Sequence, residues 1–190
     1  MKRLMTLMLA CAAILVMGIT AANVAARDGS DDDNAQAACD VRHENEAGDD
    51  HGTDSRAIAS DDREGTSGAD DQDGTAEDDH VSGHDGDDDE RGHDGDDDLE
   101  GGRGDDDMCG DAGDDHLNGG PGDDILKGGR GDDTLVGGKG HDEIEGDSGN
   151  DTINSRDGQR DVVSCGRGRD RVRADKRDRI ARGCESVNRG

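Results

Sequence analysis

Seven aspartates stand nine residues apart: Asp97, Asp106, Asp115, Asp124, Asp133, Asp142 and Asp151. Asp88 extends the series one step toward the N-terminus. A glycine lies two residues before each of them. Two residues after each of the seven comes an aliphatic side chain: Leu99, Met108, Leu117, Leu126, Leu135, Ile144 and Ile153. Short, rigid carboxylates beside turns that expose carbonyl oxygens make an all-oxygen donor set, which suits a hard cation. Thiols and imidazoles at regular spacing would point to zinc instead; in this sequence they are scattered.

The spacing defines a nine-residue unit, begun by Gly92, Gly101, Gly110, Gly119, Gly128, Gly137 and Gly146. Position 1 is Gly, position 4 is Gly, position 6 is Asp and position 8 is aliphatic in all seven units, while position 2 is Gly in four. Glycines give backbone angles closed to other residues, so positions 1–6 read as a turn. Positions 7–9 read as a short strand, with position 8 facing inward and 7 and 9 outward. On that reading Asp98 and Asp107 at position 7 face solvent. One aliphatic residue per strand cannot sustain a domain, but stacked units make a continuous apolar ladder. A unit at Gly83 keeps Gly86 and Asp88 and puts Glu90 at position 8, and the stretches from Gly65 and Gly74 keep the phase in part.

Composition demands some such device. Hydrophobic residues make up 27% of the chain, Phe, Trp and Tyr are absent, charged residues make up 38% and the net charge is −28. Those values alone describe a disordered polyacid. Residues 28–154 hold 8 Lys/Arg against 44 Asp/Glu, a net −36, whereas 155–190 hold 11 against 6, a net +5. The acidic field repels nucleic acid and anionic membranes and concentrates cations.

The segments "GGPGDDILK", "GGRGDDTLV" and "GGKGHDEIE" resemble the G-G-x-G-x-D-x-U-x nonapeptide of the hemolysin-type (RTX) calcium-binding repeat family. The resemblance implies an all-β fold, a right-handed parallel β-roll with two units per turn and calcium between the loops of neighbouring turns. Units n and n+2 would then stack. Met108, Leu126 and Ile144 would line one ladder, and Leu99, Leu117, Leu135 and Ile153 the other. Several Ca2+ ions would be held by the side chains of Asp88, Asp97, Asp106, Asp115, Asp124, Asp133, Asp142 and Asp151. Backbone carbonyls of Gly101, Arg103, Gly110, Ala112, Gly119, Pro121, Gly128, Arg130, Gly137 and Lys139 are the further candidates. The donor chemistry agrees, because magnesium demands stricter octahedral geometry and keeps its waters. Extracellular calcium modules bind at about 10⁻⁴–10⁻³ M, or about 4–5.5 kcal/mol per site, and several sites would offset the ordering entropy of a small core. Position 5, Asp in five of the seven units with His141 and Asn150 as exceptions, reads as solvated charge.

Residues 1–26 read as a signal peptide: Lys2 and Arg3, an apolar run from Leu4 to Thr20, and small residues before a cleavage point near Ala26. A secreted, extracellular protein is expected, with an uncleaved anchor or a lipoprotein signal at Cys11 as alternatives. Residues 27–82 read as an acidic, mostly disordered segment with decayed repeats, 83–154 as the repeats, and 155–190 as a basic cap closed by a disulfide. Four cysteines outside the signal allow three pairings. Cys165–Cys184, nearest in sequence, is the expected bridge, worth about 3 kcal/mol if unstrained; Cys39–Cys109 would remain.

In the tail, the fixed phase puts Arg160 at position 6, where its guanidinium would replace an ion. The rhythm then resumes at Asp170, Val172, Asp178 and Ile180. This tail resembles the ends of exported actinobacterial calcium-binding repeat proteins. The "RGD" at Arg103 and at Arg130 follows from the repeat itself. No catalytic or EF-hand pattern appears, so a non-enzymatic function is expected. Calcium ions are the expected partners, with no nucleic acid. Adhesion to surface or matrix components and a disordered cation buffer are the alternative functions, and the oligomeric state is open.

Overall fold

The computed structural model describes residues 62–181 and 183–190. Among them fifteen strands run, β1 (Asp62–Glu64), β2 (Asp71–Asp73), β3 (His80–Asp85), β4 (Asp89–Asp94), β5 (Asp98–Arg103), β6 (Asp107–Ala112), β7 (His116–Pro121) and β8 (Ile125–Arg130). They continue as β9 (Thr134–Lys139), β10 (Glu143–Ser148), β11 (Thr152–Ser155), β12 (Val162–Ser164), β13 (Arg171–Ala174), β14 (Arg179–Ile180) and β15 (Ser186–Arg189). Odd strands form one sheet and even strands the other, every pairing parallel and between next-but-one strands. The chain therefore coils as a parallel β-roll with two strands per turn. Asp98 lies beside His116 and Met108 beside Leu126, so one turn takes 18 residues in this part of the coil.

The core is the pair of position-8 ladders facing each other across the roll. Leu99, Leu117, Leu135 and Ile153 stack in register on one sheet, and Met108, Leu126 and Ile144 on the other, all fully buried. Val81 extends the first ladder toward the N-terminus, and Val163 and Val172 continue both toward the C-terminus. Glu90 is buried in the second ladder between Gln72 and Met108, and both its carboxylate oxygens lack a partner. Desolvation is the first reason its acidity is weakened to a pKa of about 8, which keeps the proton on at neutral pH.

Three features differ from the expectation. The strands of β3–β10 are six residues long, not three: they take positions 7–9 and run on through 1–3 of the next unit. Only positions 4–6 turn. Backbone pairing runs on through positions 2 and 3 in most of these turns, which side-chain pattern alone does not reveal. Second, β1–β3 pair in register with the coil although the apolar repeat is kept there only in part. Third, residues 155–190 continue the coil with β12–β15.

The disulfide Cys165–Cys184 is present in that segment. Cys109 is also disulfide-bonded; Cys39, its expected partner, lies outside the described residues, as does the whole signal segment.

The two glycine positions differ in strictness for a stated reason. Position 2 has positive φ in eight successive units, from His84 (79°) to Asp147 (64°), in the left-handed region that His and Asp tolerate. Position 4 sits near +130 to +156° in most units, as at Gly131 (131°), where only glycine is at ease. A β-carbon on Gly131 would also overlap the carbonyl oxygen of Gly113 in the turn before. Gly131→Ala should therefore destabilise the calcium-loaded roll by more than about 1 kcal/mol. Gly68→Ala, with nothing within 4 Å of the added carbon, should be near neutral. Equal urea midpoints for the two variants would refute this account of the repeat.

Candidate metal centre

Position 6, the last residue of each turn, faces the interior as position 8 of the following strand does. Asp88, Asp97, Asp106, Asp115, Asp124, Asp133, Asp142 and Asp151 are each at most 2% exposed. They stand in two columns. In one, the backbone N–H of Asp88 donates to Asp106 Oδ1 (3.0 Å), that of Asp106 to Asp124 Oδ1 (3.0 Å), and that of Asp124 to Asp142 Oδ1 (3.2 Å). In the other, the N–H of Asp97 donates to Asp115 Oδ1 (2.9 Å), that of Asp115 to Asp133 Oδ1 (2.9 Å), and that of Asp133 to Asp151 Oδ1 (3.1 Å). One oxygen of each carboxylate is thus fixed by the preceding turn.

The second oxygen is not satisfied. Oδ2 of all eight is buried without a hydrogen-bond partner. It lies against the position-1 glycine of its own unit, where a β-carbon would collide with it. At Gly110 the same spot is flanked by the Gly128 carbonyl oxygen of the next turn, at Gly119 by that of Gly137, at Gly83 by that of Gly101 and at Gly92 by that of Gly110. Position-1 carbonyls therefore face the orphaned carboxylate oxygens. The position-3 carbonyls of Arg103, Ala112, Pro121, Arg130 and Lys139 accept the N–H of Gly86, Gly95, Gly104, Gly113 and Gly122 at 2.7–3.1 Å, which occupies one of two lone pairs. A buried, half-satisfied carboxylate among carbonyl oxygens requires a proton or a cation. The donor set is all oxygen, as calcium prefers.

Where the columns stop is as informative as where they run. The orphaned Oδ2 recurs at Asp161 and Asp170. At Asp70 and Asp79, by contrast, Oδ2 accepts the backbone N–H and the hydroxyl of Thr66 and Thr75. At Asp178 it accepts the Ser155 hydroxyl and the Asp175 N–H. The second column ends on Glu185, whose Oε2 takes the N–H of Asp170 at 2.9 Å. Among the described residues, protein donors thus complete the outer carboxylates of the columns, and ten between them are left with a spare oxygen.

Asp161 and Asp170 extend the site beyond the expected residues, and Arg160 is a correction. The tail carries one extra residue, so Glu143 pairs with Val162, and Asp161, 1% exposed, takes the position-6 slot. The Asp142 N–H donates to its Oδ1 at 3.1 Å. Arg160 is exposed in the turn. A fixed nine-residue phase misses this; the triplet Asp161-Val162-Val163, matching Asp-x-aliphatic, carries the signal.

Position 5 also does more than solvate. Asp96, Asp114 and Asp132 each accept through Oδ1 the N–H of the position-5 residue one turn later, at 2.7–2.9 Å, as do Asp87, Asp105 and Asp123 at 2.7–3.0 Å. Asp98 and Asp107 lie on the outer face, half-exposed.

The family model of the RTX calcium-binding nonapeptide repeat (4 copies) matches residues 91–117, 118–153 and 128–162. This stretch is an array of RTX calcium-binding repeats. No curated protein matches the chain. The RTX match and the orphaned oxygens agree on the same side chains, since the matched span contains Asp97 through Asp161.

The electrostatics set a pH dependence. Burial raises the pKa of Asp97, Asp106 and Asp142 to about 6, of Asp115, Asp124, Asp151 and Asp161 to about 7 and of Asp133 to about 8. The backbone hydrogen bond opposes the rise and neighbouring carboxylates add to it. Each group binds its proton more tightly folded than unfolded, where the pKa is about 3.9. The stability so gained is complete below about pH 4 and is lost as pH rises through 6 to 8. The metal-free chain should therefore gain strand signal in circular dichroism when acidified from pH 8 to pH 4. A metal-free chain equally unfolded at both values would contradict the raised acidities. In calorimetric calcium titration, Asp161→Asn should remove or weaken a site, while Arg160→Ala should leave the isotherm unchanged.

Proposed function

We propose that this chain is an exported, non-enzymatic calcium-binding protein whose repeats fold into the roll as Ca2+ arrives. The observation that carries the reading is the run of ten buried Oδ2 atoms without partners in two aligned columns. At neutral pH these carboxylates oppose folding unless protons or cations neutralise them. Calcium would be held by Asp88, Asp97, Asp106, Asp115, Asp124, Asp133, Asp142, Asp151, Asp161 and Asp170, each ion shared by carboxylates of neighbouring turns, with position-1 carbonyls adding oxygens. Binding free energy becomes folding free energy when the site does not exist in the unfolded chain. The basic and apolar opening of the sequence and its small residues before Ala26 support export. Outside the cell calcium is abundant, and the chain would order there.

Calcium-dependent assembly or adhesion is the second reading. Its support is β15, exposed at all four residues, which ends one sheet with Val187 38% exposed. An uncovered last strand is a template for pairing with another chain. Size measurement with and without calcium distinguishes the two: a monomer in both states argues against assembly.

The test of the main reading is a calcium titration of the full chain at pH 7.4, followed by far-ultraviolet circular dichroism, which no aromatic side chain complicates. A cooperative rise in strand signal below about 1 mM is expected. The double substitution Asp124→Asn with Asp133→Asn should shift the midpoint to several-fold higher calcium, whereas Glu143→Gln with Thr134→Ala on the outer face should not. No spectral change at millimolar calcium would leave a disordered polyacid as the description.

A further inference from the structure

We propose that the last rungs of the roll carry a docking surface for a linear polymer of tetrahedral oxyanions, sulfate or phosphate esters, with Arg171 and Arg173 at its centre. Residues 155–190 hold 11 Lys/Arg and 6 Asp/Glu, and the fold treats the two signs differently. All six carboxylates accept a backbone N–H: Asp157 from Gln159, Asp161 from Asp142, Asp170 from Asp151, Asp175 from Gly158, Asp178 from Asp161 and Glu185 from Asp170. The cations of this segment that are described are all exposed. None of them is in an ion pair among the described residues. Arg156 and Arg189 reach backbone carbonyls instead. In a chain with 50 Asp/Glu, a cluster of guanidiniums without carboxylate partners is free for an outside anion.

β13 presents Arg171 and Arg173 on the outer face of the odd-strand sheet, two residues and about 6.6 Å apart. In register, Arg171 lies between Thr152 and Ser186, and Arg173 between Asn154 and Asn188. Each guanidinium thus has a neutral hydroxyl or amide donor on both sides. A guanidinium fork takes two oxygens at once. The flanking donors suit the further oxygens of a sulfate or phosphate ester, which a planar carboxylate lacks. Arg167 and Arg169, both exposed, carry the same charge into the turn before β13. One exposed ion pair contributes little, so a small anion would bind weakly, whereas a polymer sums several contacts on one chain.

The acidity of the rest of the chain does not forbid this. No carboxylate stands at position 7 or 9 of β7, β9, β11, β13 or β15. In those two outer rows the nearest carboxylates are Asp98 and Glu100 on β5, four strand spacings from β13, or about 19 Å. At physiological ionic strength the Debye length is about 8 Å, so their repulsion is screened. The surface exists only when β11, β13 and β15 are stacked. The inference therefore rests on the register of the roll and not on which ion fills the columns.

Titration of the calcium-loaded full chain into fluorescently labelled dextran sulfate, and into labelled poly(glycerol phosphate), tests the proposal, with circular dichroism confirming that each variant keeps the roll. Saturable binding that weakens as salt rises is expected. Arg171→Gln with Arg173→Gln should weaken it at least about tenfold and flatten its salt dependence, with the calcium midpoint of folding unchanged. Arg103→Gln with Lys139→Gln removes the same charge at the far ends of β5 and β9 and should leave binding as it was. Tighter binding of one polymer than of the other identifies sulfate or phosphate as the natural group, and either result supports the surface. No saturable binding of either polymer overturns the proposal, as does equal binding of poly-glutamate or equal weakening by the two double variants. A calcium-loaded oligomer that Arg171→Gln with Arg173→Gln turns into a monomer overturns it too, because a second copy then occupies this face. A strand signal missing before polymer is added would count against the calcium reading alone, and the same titration at pH 4, where protons neutralise the columns, then carries the test.

Discussion

A carboxylate that is buried, held by one oxygen and unsatisfied at the other is the constraint on which this molecule turns. Asp124 is representative: 1% exposed, its Oδ1 takes the N–H of Asp106 while its Oδ2 has no partner. The first interaction sets the height of one turn on the next. The second leaves a demand for positive charge that the 27% hydrophobic content cannot meet by burial. Repeating that arrangement along two columns makes the stability of the coil a sum over turns, each contingent on what neutralises its carboxylates.

The remaining repeat positions follow from serving that arrangement. Glycine at position 1 leaves room for Oδ2, and glycine at position 4 lets turns stack with carbonyl oxygens in close approach. Position-5 side chains hold the loops from the other direction, since Asp114 accepts from the turn after it and Asp115 from the turn before it. The two sets of hydrogen bonds oppose one another along the coil axis and lock the loop between them. The ends are finished differently. Thr66, Thr75, Ser155 and Glu185 supply or occupy hydrogen bonds that would otherwise propagate the column. In the last rungs Ser155, Cys165 and Ala174 are buried facing inward where earlier turns have glycine, and a disulfide joins Cys165 to Cys184. Side-chain filling and covalent linkage there take over part of what the open cradle does elsewhere.

The same register that builds the interior organises the exterior. Histidines that look scattered in the sequence come into line because 36 residues is two turns, so that His80 and His116 flank Asp98. Glu90 shows the converse: one polar residue at an apolar position is carried into the core because its neighbours in the ladder fix it there.

The nine-residue spacing by itself determined which aliphatic side chains face inward, that stacked units make an apolar ladder, and which carboxylates recur, because a side chain's face follows from period. The roll with two units per turn was implied by the resemblance to the RTX repeat. Composition also determined that burial could not fold this chain unaided, since it is a sum over residues and needs no geometry. Only the tertiary structure decided that β1–β3 and β12–β15 join the coil, because the side-chain pattern there is kept only in part and backbone pairing completes it. It alone put Asp161 rather than Arg160 in the column, since a turn can absorb an extra residue while the strands beyond it keep register. It alone gave position 5 its partners, which lie one full turn away along the chain and adjacent in space.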